Sequence, residues 1–210
     1  MRADLTEIVA IMDRSGSMQS CKKDSEGGLN AFIDAQKEQP GDARFTLVQF
    51  DTEVETVLAS KPIKEVPMCR LDPRGMTALY DAVGSTIDSL GARLAALPEN
   101  ERPGLVVVVI ITDGGENASK DYTGEKVRAM VAHQQEKYSW KFVYIGANQD
   151  AFTEASKIGI AAGSSANYGV HKTAETYHTV SDLVSCMRSA SADGSGVECA
   201  FSAKQRAEML

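Results

Sequence analysis

The chain has 210 residues, 43% of them hydrophobic, and a formal charge of −7, enough apolar material for one ordinary α/β domain with a sizeable core. A balance this acidic speaks against a nucleic-acid or anionic-membrane partner, since both need clustered Lys and Arg. No apolar run approaches the roughly 18 residues of a membrane helix, and Met1-Arg2-Ala3-Asp4-Leu5-Thr6-Glu7 has no signal-peptide core, so a cytoplasmic protein is expected. Cys21, Cys69, Cys186 and Cys199 show no Cys-x-x-Cys pairing and read as free thiols, not as a zinc site or a disulfide framework. His133, His171 and His178 form no His-Glu-x-x-His pattern, so a zinc peptidase has no support.

The first element is an apolar run, Glu7-Ile8-Val9-Ala10-Ile11-Met12, long enough for a buried strand. It breaks into Asp13-Arg14-Ser15-Gly16-Ser17-Met18, which must leave the sheet at the strand's carboxyl end, where open α/β sheets bind ligands. Asp13, Ser15 and Ser17 offer hard oxygen atoms on one short loop, as a magnesium-like cation requires. The same residue types also serve as turn formers and helix caps after any strand. Arg14 is read as solvent-facing, with an acidic partner as the other use, and Met18 and Met76 as an apolar rim or ordinary surface methionines.

Leu29, Phe32 and Ile33 fall at helical spacing within residues 25–39, a crossover helix closed by Pro40-Gly41. Arg44-Phe45-Thr46-Leu47-Val48-Gln49-Phe50 and Val54-Glu55-Thr56-Val57-Leu58 then read as strands whose link is too short for a crossover, so they pair antiparallel, one of them at the sheet edge. Residues 61–75 carry Pro62, Pro67 and Pro73 without periodicity and read as a long surface loop, of a length that is often functional. Leu79, Val83, Ile87, Leu90, Leu94 and Leu97 mark a long amphipathic helix with Thr77 at its start, as a plain N-cap or as something more.

Leu105-Val106-Val107-Val108-Val109-Ile110-Ile111 is the most apolar run and reads as a central parallel strand covered on both faces. It delivers Thr112-Asp113-Gly114-Gly115 at its carboxyl tip, followed by Glu116 and Asn117, which either support that loop or are plain surface polar residues. Val127, Met130, Val131 and Tyr138 mark a helix, and Trp140-Lys141-Phe142-Val143-Tyr144-Ile145-Gly146 a strand. A short helix over 150–157, a weak edge strand within 160–168 and a helix over 173–190 complete the pattern. Residues 191–210, rich in Ser, Gly and Ala, read as a C-terminal tail free to move, outside a domain over 1–190.

This order of elements predicts an α/β fold: a doubly wound, mostly parallel open sheet of about six strands with one antiparallel edge strand and helices on both faces. In such sheets the first strand lies beside the one that begins the second half, and the crevice between them is the ligand site. The strands ending at Asp13 and Asp113 are those two, and the loop before Thr77 can reach the crevice.

With Asp13-Arg14-Ser15-Gly16-Ser17, Thr77 within Gly75-Met76-Thr77-Ala78-Leu79 and Asp113 within Thr112-Asp113-Gly114-Gly115 standing in order, the chain resembles the von Willebrand factor A domain, also called the integrin inserted-domain fold, over roughly residues 5–190. The resemblance implies a metal-ion-dependent adhesion site in which Ser15, Ser17 and Thr77 bind the ion directly, while Asp13, and often Asp113, act through bound water. It also implies a non-catalytic protein-binding module: a partner protein's Glu or Asp completes the coordination of a magnesium ion, with manganese as the alternative and calcium disfavoured because it prefers more carboxylate and carbonyl ligands. The competing class is a metal-dependent hydrolase or phosphatase using Asp13. Haloacid-dehalogenase-like phosphatases carry another Asp two residues on, where Ser15 stands. Neither a Gly-x-Ser-x-Gly elbow nor a Gly-x-Gly-x-x-Gly loop occurs.

Overall fold

In a computed structural model that describes residues 1–147 and 150–210, the unbroken apolar runs lie in the middle of one sheet. The strands are β1 (Arg2–Asp13), β2 (Asp42–Phe50), β3 (Val54–Pro62), β4 (Pro103–Thr112), β5 (Lys141–Ala147) and β6 (Ser165–Tyr168). Their spatial order is β3-β2-β1-β4-β5-β6. Only β2 and β3 pair antiparallel among these neighbours, because just three residues separate them; the other pairs are parallel.

The helices are α1 (Lys22–Lys37), α2 (Leu79–Ala96), α3 (Gly124–Tyr138), α4 (Ala151–Lys157), α5 (Thr173–Asp193) and α6 (Ala203–Met209). Alternation along β1 divides the core between the two faces of the sheet. Ile8, Ala10 and Met12 join Leu29, Phe32 and Ile33 of α1 and Tyr177, Val180 and Val184 of α5. Val9 and Ile11 join Leu79, Val83 and Ile87 of α2, Val127 and Val131 of α3, and Ala151 and Ala155 of α4. Because both faces are covered, every position of the run is apolar. Each fully buried branched side chain there contributes about 1.5–3 kcal/mol relative to exposure. Helices α1 and α5 approach so closely that a Cβ on Gly28 would lie 2.3 Å from the Tyr177 ring.

Two stretches differ from the sequence-based expectation. Residues 61–75 are not a plain surface loop: β3 continues to Pro62, a 3-10 turn covers Ile63–Glu65, and Ile63, Val66, Cys69 and Leu71 are buried. Their spacing matches neither strand nor helix, so periodicity does not reveal them. Residues 191–210 do not trail away either. The chain folds back, Phe201 and Met209 are buried in the face formed by α1 and α5, and Arg206 donates to the carbonyls of Ala162 and Gly163, both at 2.8 Å. Phe201 and Met209, with the half-buried Val197 and Cys199 packed beside them, anchor the segment, but their spacing in a Ser/Gly/Ala-rich stretch gives no periodic signal.

Candidate metal centre

The crevice is set by register. Met12 of β1 pairs with Ile111 of β4, so Asp13 and Thr112 end the two strands side by side and Asp113 follows at once. Asp13 is 0% exposed. Its Oδ1 accepts from the Ser15 amide at 2.6 Å and its Oδ2 from Thr112 Oγ1 at 2.5 Å. Ser15 begins a 3-10 turn over Gly16–Ser20 without giving it a side-chain cap, so its hydroxyl is not used as a cap. That hydroxyl lies 3.0 Å from Ser17 Oγ, which donates to Asp113 Oδ1 at 2.6 Å.

Thr77 enters from a third element. The N-cap of α2 is Ala78, without a side-chain cap bond, so Thr77 is not a plain N-cap. Its amide donates to Asn117 Oδ1 at 2.9 Å, and its carbonyl accepts from the Asn117 amide at 3.0 Å. A Cβ placed on Gly114 would lie 3.4 Å from Thr77 Oγ1 and 3.8 Å from Ser17 Oγ, so both hydroxyls front the same small space. Glu116 fixes the loop behind it, accepting from the amides of Tyr80, Ala118 and Ser119 at 2.8–2.9 Å. Glu116 and Asn117 therefore both support the loop.

Arg14 is buried, not solvent-facing. Its Nε donates to Asp51 Oδ2 at 2.7 Å and its Nη1 to Glu55 Oε2 at 2.6 Å, while Arg74 Nε reaches the same Asp51 oxygen at 3.0 Å. Backbone bonds run in parallel, from the Arg74 amide to the Arg14 carbonyl at 2.7 Å and from the Gly16 amide to the Gly75 carbonyl at 3.2 Å. Together they tie the loop after β1 to the β2–β3 turn and to the loop before α2. Burial alone would raise the Asp51 carboxyl, but the Glu53 amide and the two guanidinium groups outweigh it and hold it below its ordinary value. Met18 is 0% exposed and cannot form a rim, whereas Met76 is half exposed beside Thr77.

The electrostatics of the crevice are one-sided. Burial pushes the Asp13 carboxyl up to about 6, against the bonds from Thr112 and Ser15, and the nearby Asp113 charge adds to the rise. Burial likewise raises Asp113, with the Ser17 hydroxyl opposing. Among the described residues no Lys, Arg or His forms an ion pair with either. Two buried carboxylates without a countercharge, beside three neutral hydroxyls, are a donor set suited to a hard divalent cation. Among the described residues no group of three or more His, Cys, Asp and Glu side chains is placed to hold a metal, in keeping with a set that has hydroxyls where a soft-metal site has thiolates or imidazoles.

All five residues singled out in the sequence reach this crevice: Asp13, Ser15, Ser17 and Asp113 through hydrogen bonds and Thr77 through the space before Gly114. Thr112 and the Arg14–Asp51 pair were not foreseen. A polar residue ending an otherwise apolar strand was the available signal for Thr112. Asp51, directly after Phe50, offered a similar one.

Comparison with solved structures places this architecture. The proximal thread matrix protein 1 of the mussel byssus is similar over 86% of this chain and 46% of its own, at 18% identity and a TM-score of 0.61. A von Willebrand factor type A protein from Catenulispora acidiphila is similar over 86% of this chain and 42% of its own, at 15% identity and a TM-score of 0.60. The fold is that of a von Willebrand factor A domain. A manganese-loaded Plasmodium vivax TRAP protein shares the A-domain fold over 83% of this chain and 72% of its own, at 13% identity and a TM-score of 0.55. The mussel protein has also been solved with a zinc-occupied MIDAS motif. This chain spans less than half the length of the mussel and Catenulispora proteins. No protein-family model and no curated protein sequence matches it. Among the described residues no helix is long and apolar enough to cross a membrane.

Proposed function

We propose that this A domain is a non-catalytic, cation-dependent protein-binding module. Asp13, Ser15, Ser17, Thr77 and Asp113 would hold one magnesium ion, or manganese in its place, with calcium disfavoured. The observation that carries this reading is the chain Ser15 Oγ–Ser17 Oγ–Asp113 Oδ1, with contacts of 3.0 and 2.6 Å, which joins loops 96 residues apart at the switch point of the sheet. When bound, the cation supplies an electrophilic position that a partner protein's Glu or Asp can occupy. The chain's own residues supply the rest. The Arg14–Asp51 pair and the Gly16–Gly75 bond hold the loops in register, Asn117 holds Thr77, and Thr112 with the Ser15 amide orients Asp13.

The phosphatase alternative finds less support. Asp13 is fully buried and each of its carboxylate oxygens accepts a hydrogen bond, so it is not presented to an incoming phosphoester. We place the protein in the cytoplasm, where its four free thiols stay reduced. The test is capture of a binding partner from host extract by the full chain. The partner should bind in magnesium and be lost both on chelation and for Thr77→Ala. A partner held equally by Thr77→Ala in chelator, or turnover of generic phosphoesters that Asp13→Asn abolishes, would overturn the reading.

A further inference from the structure

Beneath the crevice lies a polar group that nothing above uses. Tyr168 ends β6, is 4% exposed, and its hydroxyl is buried without a hydrogen-bond partner. A buried unpaired hydroxyl is unfavourable to the fold, so its retention calls for a reason. Its place in the sheet supplies one. Thr112 pairs with Gly146 and Gly146 with Asn167; Asp113 and Tyr168 each follow that row by one residue, at the same carboxyl edge. Two strand spacings, about 10 Å, separate β4 from β6 at this edge.

The ring lies on the α1/α5 face in one cluster with Met12, Met18, Cys21 and Tyr177, and Met18 belongs to the turn that follows Ser15 and carries Ser17. Neighbouring polar groups on that face have other partners. Tyr177 Oη meets Met12 Sδ at 3.2 Å, and the Cys21 thiol donates to the Met18 carbonyl at 3.6 Å. After burial, the Cys21 thiol and the Asp113 and Asp13 carboxylates all push the Tyr168 hydroxyl upward, so it remains a neutral donor at any working pH. Asp13 already accepts on both oxygens, whereas the side-chain donor to Asp113 among the described residues is Ser17. Asp113 is the acceptor with capacity left.

We propose that Tyr168 is a positioning residue of the cation site, its hydroxyl donating through one bridging water to the Asp113 carboxylate. This rests on the cation-site reading above. Groups that orient a ligand from behind commonly account for 10–100-fold in metal affinity, and a donor to the ionised carboxylate favours the form that a cation needs.

The test is calorimetric titration of manganese and magnesium into the full chain, its Tyr168→Phe variant and its Tyr168→Leu variant, with melting curves in chelator. Tyr168→Phe keeps the ring and removes only the oxygen. It should melt at or above the parent in chelator yet bind manganese about tenfold more weakly, while Tyr168→Leu should show the same affinity loss and a lower melting temperature. If the parent binds and Tyr168→Phe binds equally well, Tyr168 is a packing residue and this proposal alone fails. If the parent binds neither ion, the cation-site reading fails and takes this proposal with it.

Discussion

Asp13→Asn should make the metal-free protein more stable. The Asp13 carboxyl sits at about 6, against 3.8 for the unfolded chain, chiefly because it is buried. At about 1.4 kcal/mol for each pH unit, that difference corresponds to about 3 kcal/mol of penalty for keeping the group ionised in the fold. The sign follows from linkage: the folded state holds this proton more tightly than the unfolded one, so the group's favourable contribution is complete below about 3.8 and is lost as pH rises through about 6. Asparagine fills the same space, still accepts from the Ser15 amide, and can donate to Thr112 Oγ1, whose own hydrogen can turn to the Gly114 carbonyl at 2.9 Å. Allowing for weaker neutral hydrogen bonds, about 1–3 kcal/mol should remain, or a melting temperature higher by about 2–12 °C at the roughly 2–4 °C per kcal/mol of a chain of this size. The assay is thermal unfolding of parent and variant in chelator at pH 4, 5, 6 and 7. The gap should be near zero at pH 4, open between pH 4 and 6, and stay constant above. A variant that melts at or below the parent at pH 7, or a gap independent of pH, would refute the claim that the Asp13 charge is kept against the stability of the fold.

Arg14→Met should destabilise the domain by about 3 kcal/mol, because it leaves the buried Asp51 carboxylate with the half-exposed Arg74 as its remaining ion-pair partner. The loss, read by denaturant unfolding, should shrink at acid pH, since Asp51 is held below its ordinary value and its contribution disappears as pH falls through its folded value. Phe201→Ala should lower stability by about 3 kcal/mol in the same assay, the usual result of emptying a buried aromatic site; no effect would mean that residues 195–210 do not pack in solution. Magnesium at a hundredfold excess over Kd should add about 2.7 kcal/mol to the parent and nothing to Asp13→Asn, with both proteins folded in chelator by circular dichroism.

Much of this architecture was legible because the physics behind it is local. The runs ending at Met12 and Ile111 are apolar at every position, which requires cover on both faces, and the link between β2 and β3 is too short for a crossover. Once those runs are central, Asp13 and Asp113 must meet at one edge, and the loop before α2 brings Thr77. What could not be read depends on distant partners. Arg14 looks like a surface charge because Asp51 and Glu55 lie 37 and 41 residues away. Ile63, Val66, Cys69 and Leu71 are buried without period, and Phe201 and Met209 act as isolated anchors. Met18 turns inward because the 3-10 turn over Gly16–Ser20 rotates it off the rim that a simple loop would give it.

The central claim is that one divalent cation binds where Asp13, Ser15, Ser17, Thr77 and Asp113 converge. Thr77→Ala removes one hydroxyl from that space, without adding charge and without touching the Asn117 bonds to the Thr77 backbone. Manganese titrated calorimetrically into the parent should bind at one site per chain, and into Thr77→Ala at least tenfold more weakly, with both proteins melting alike in chelator. Equal binding by the two proteins, or no binding by a folded parent, would contradict it.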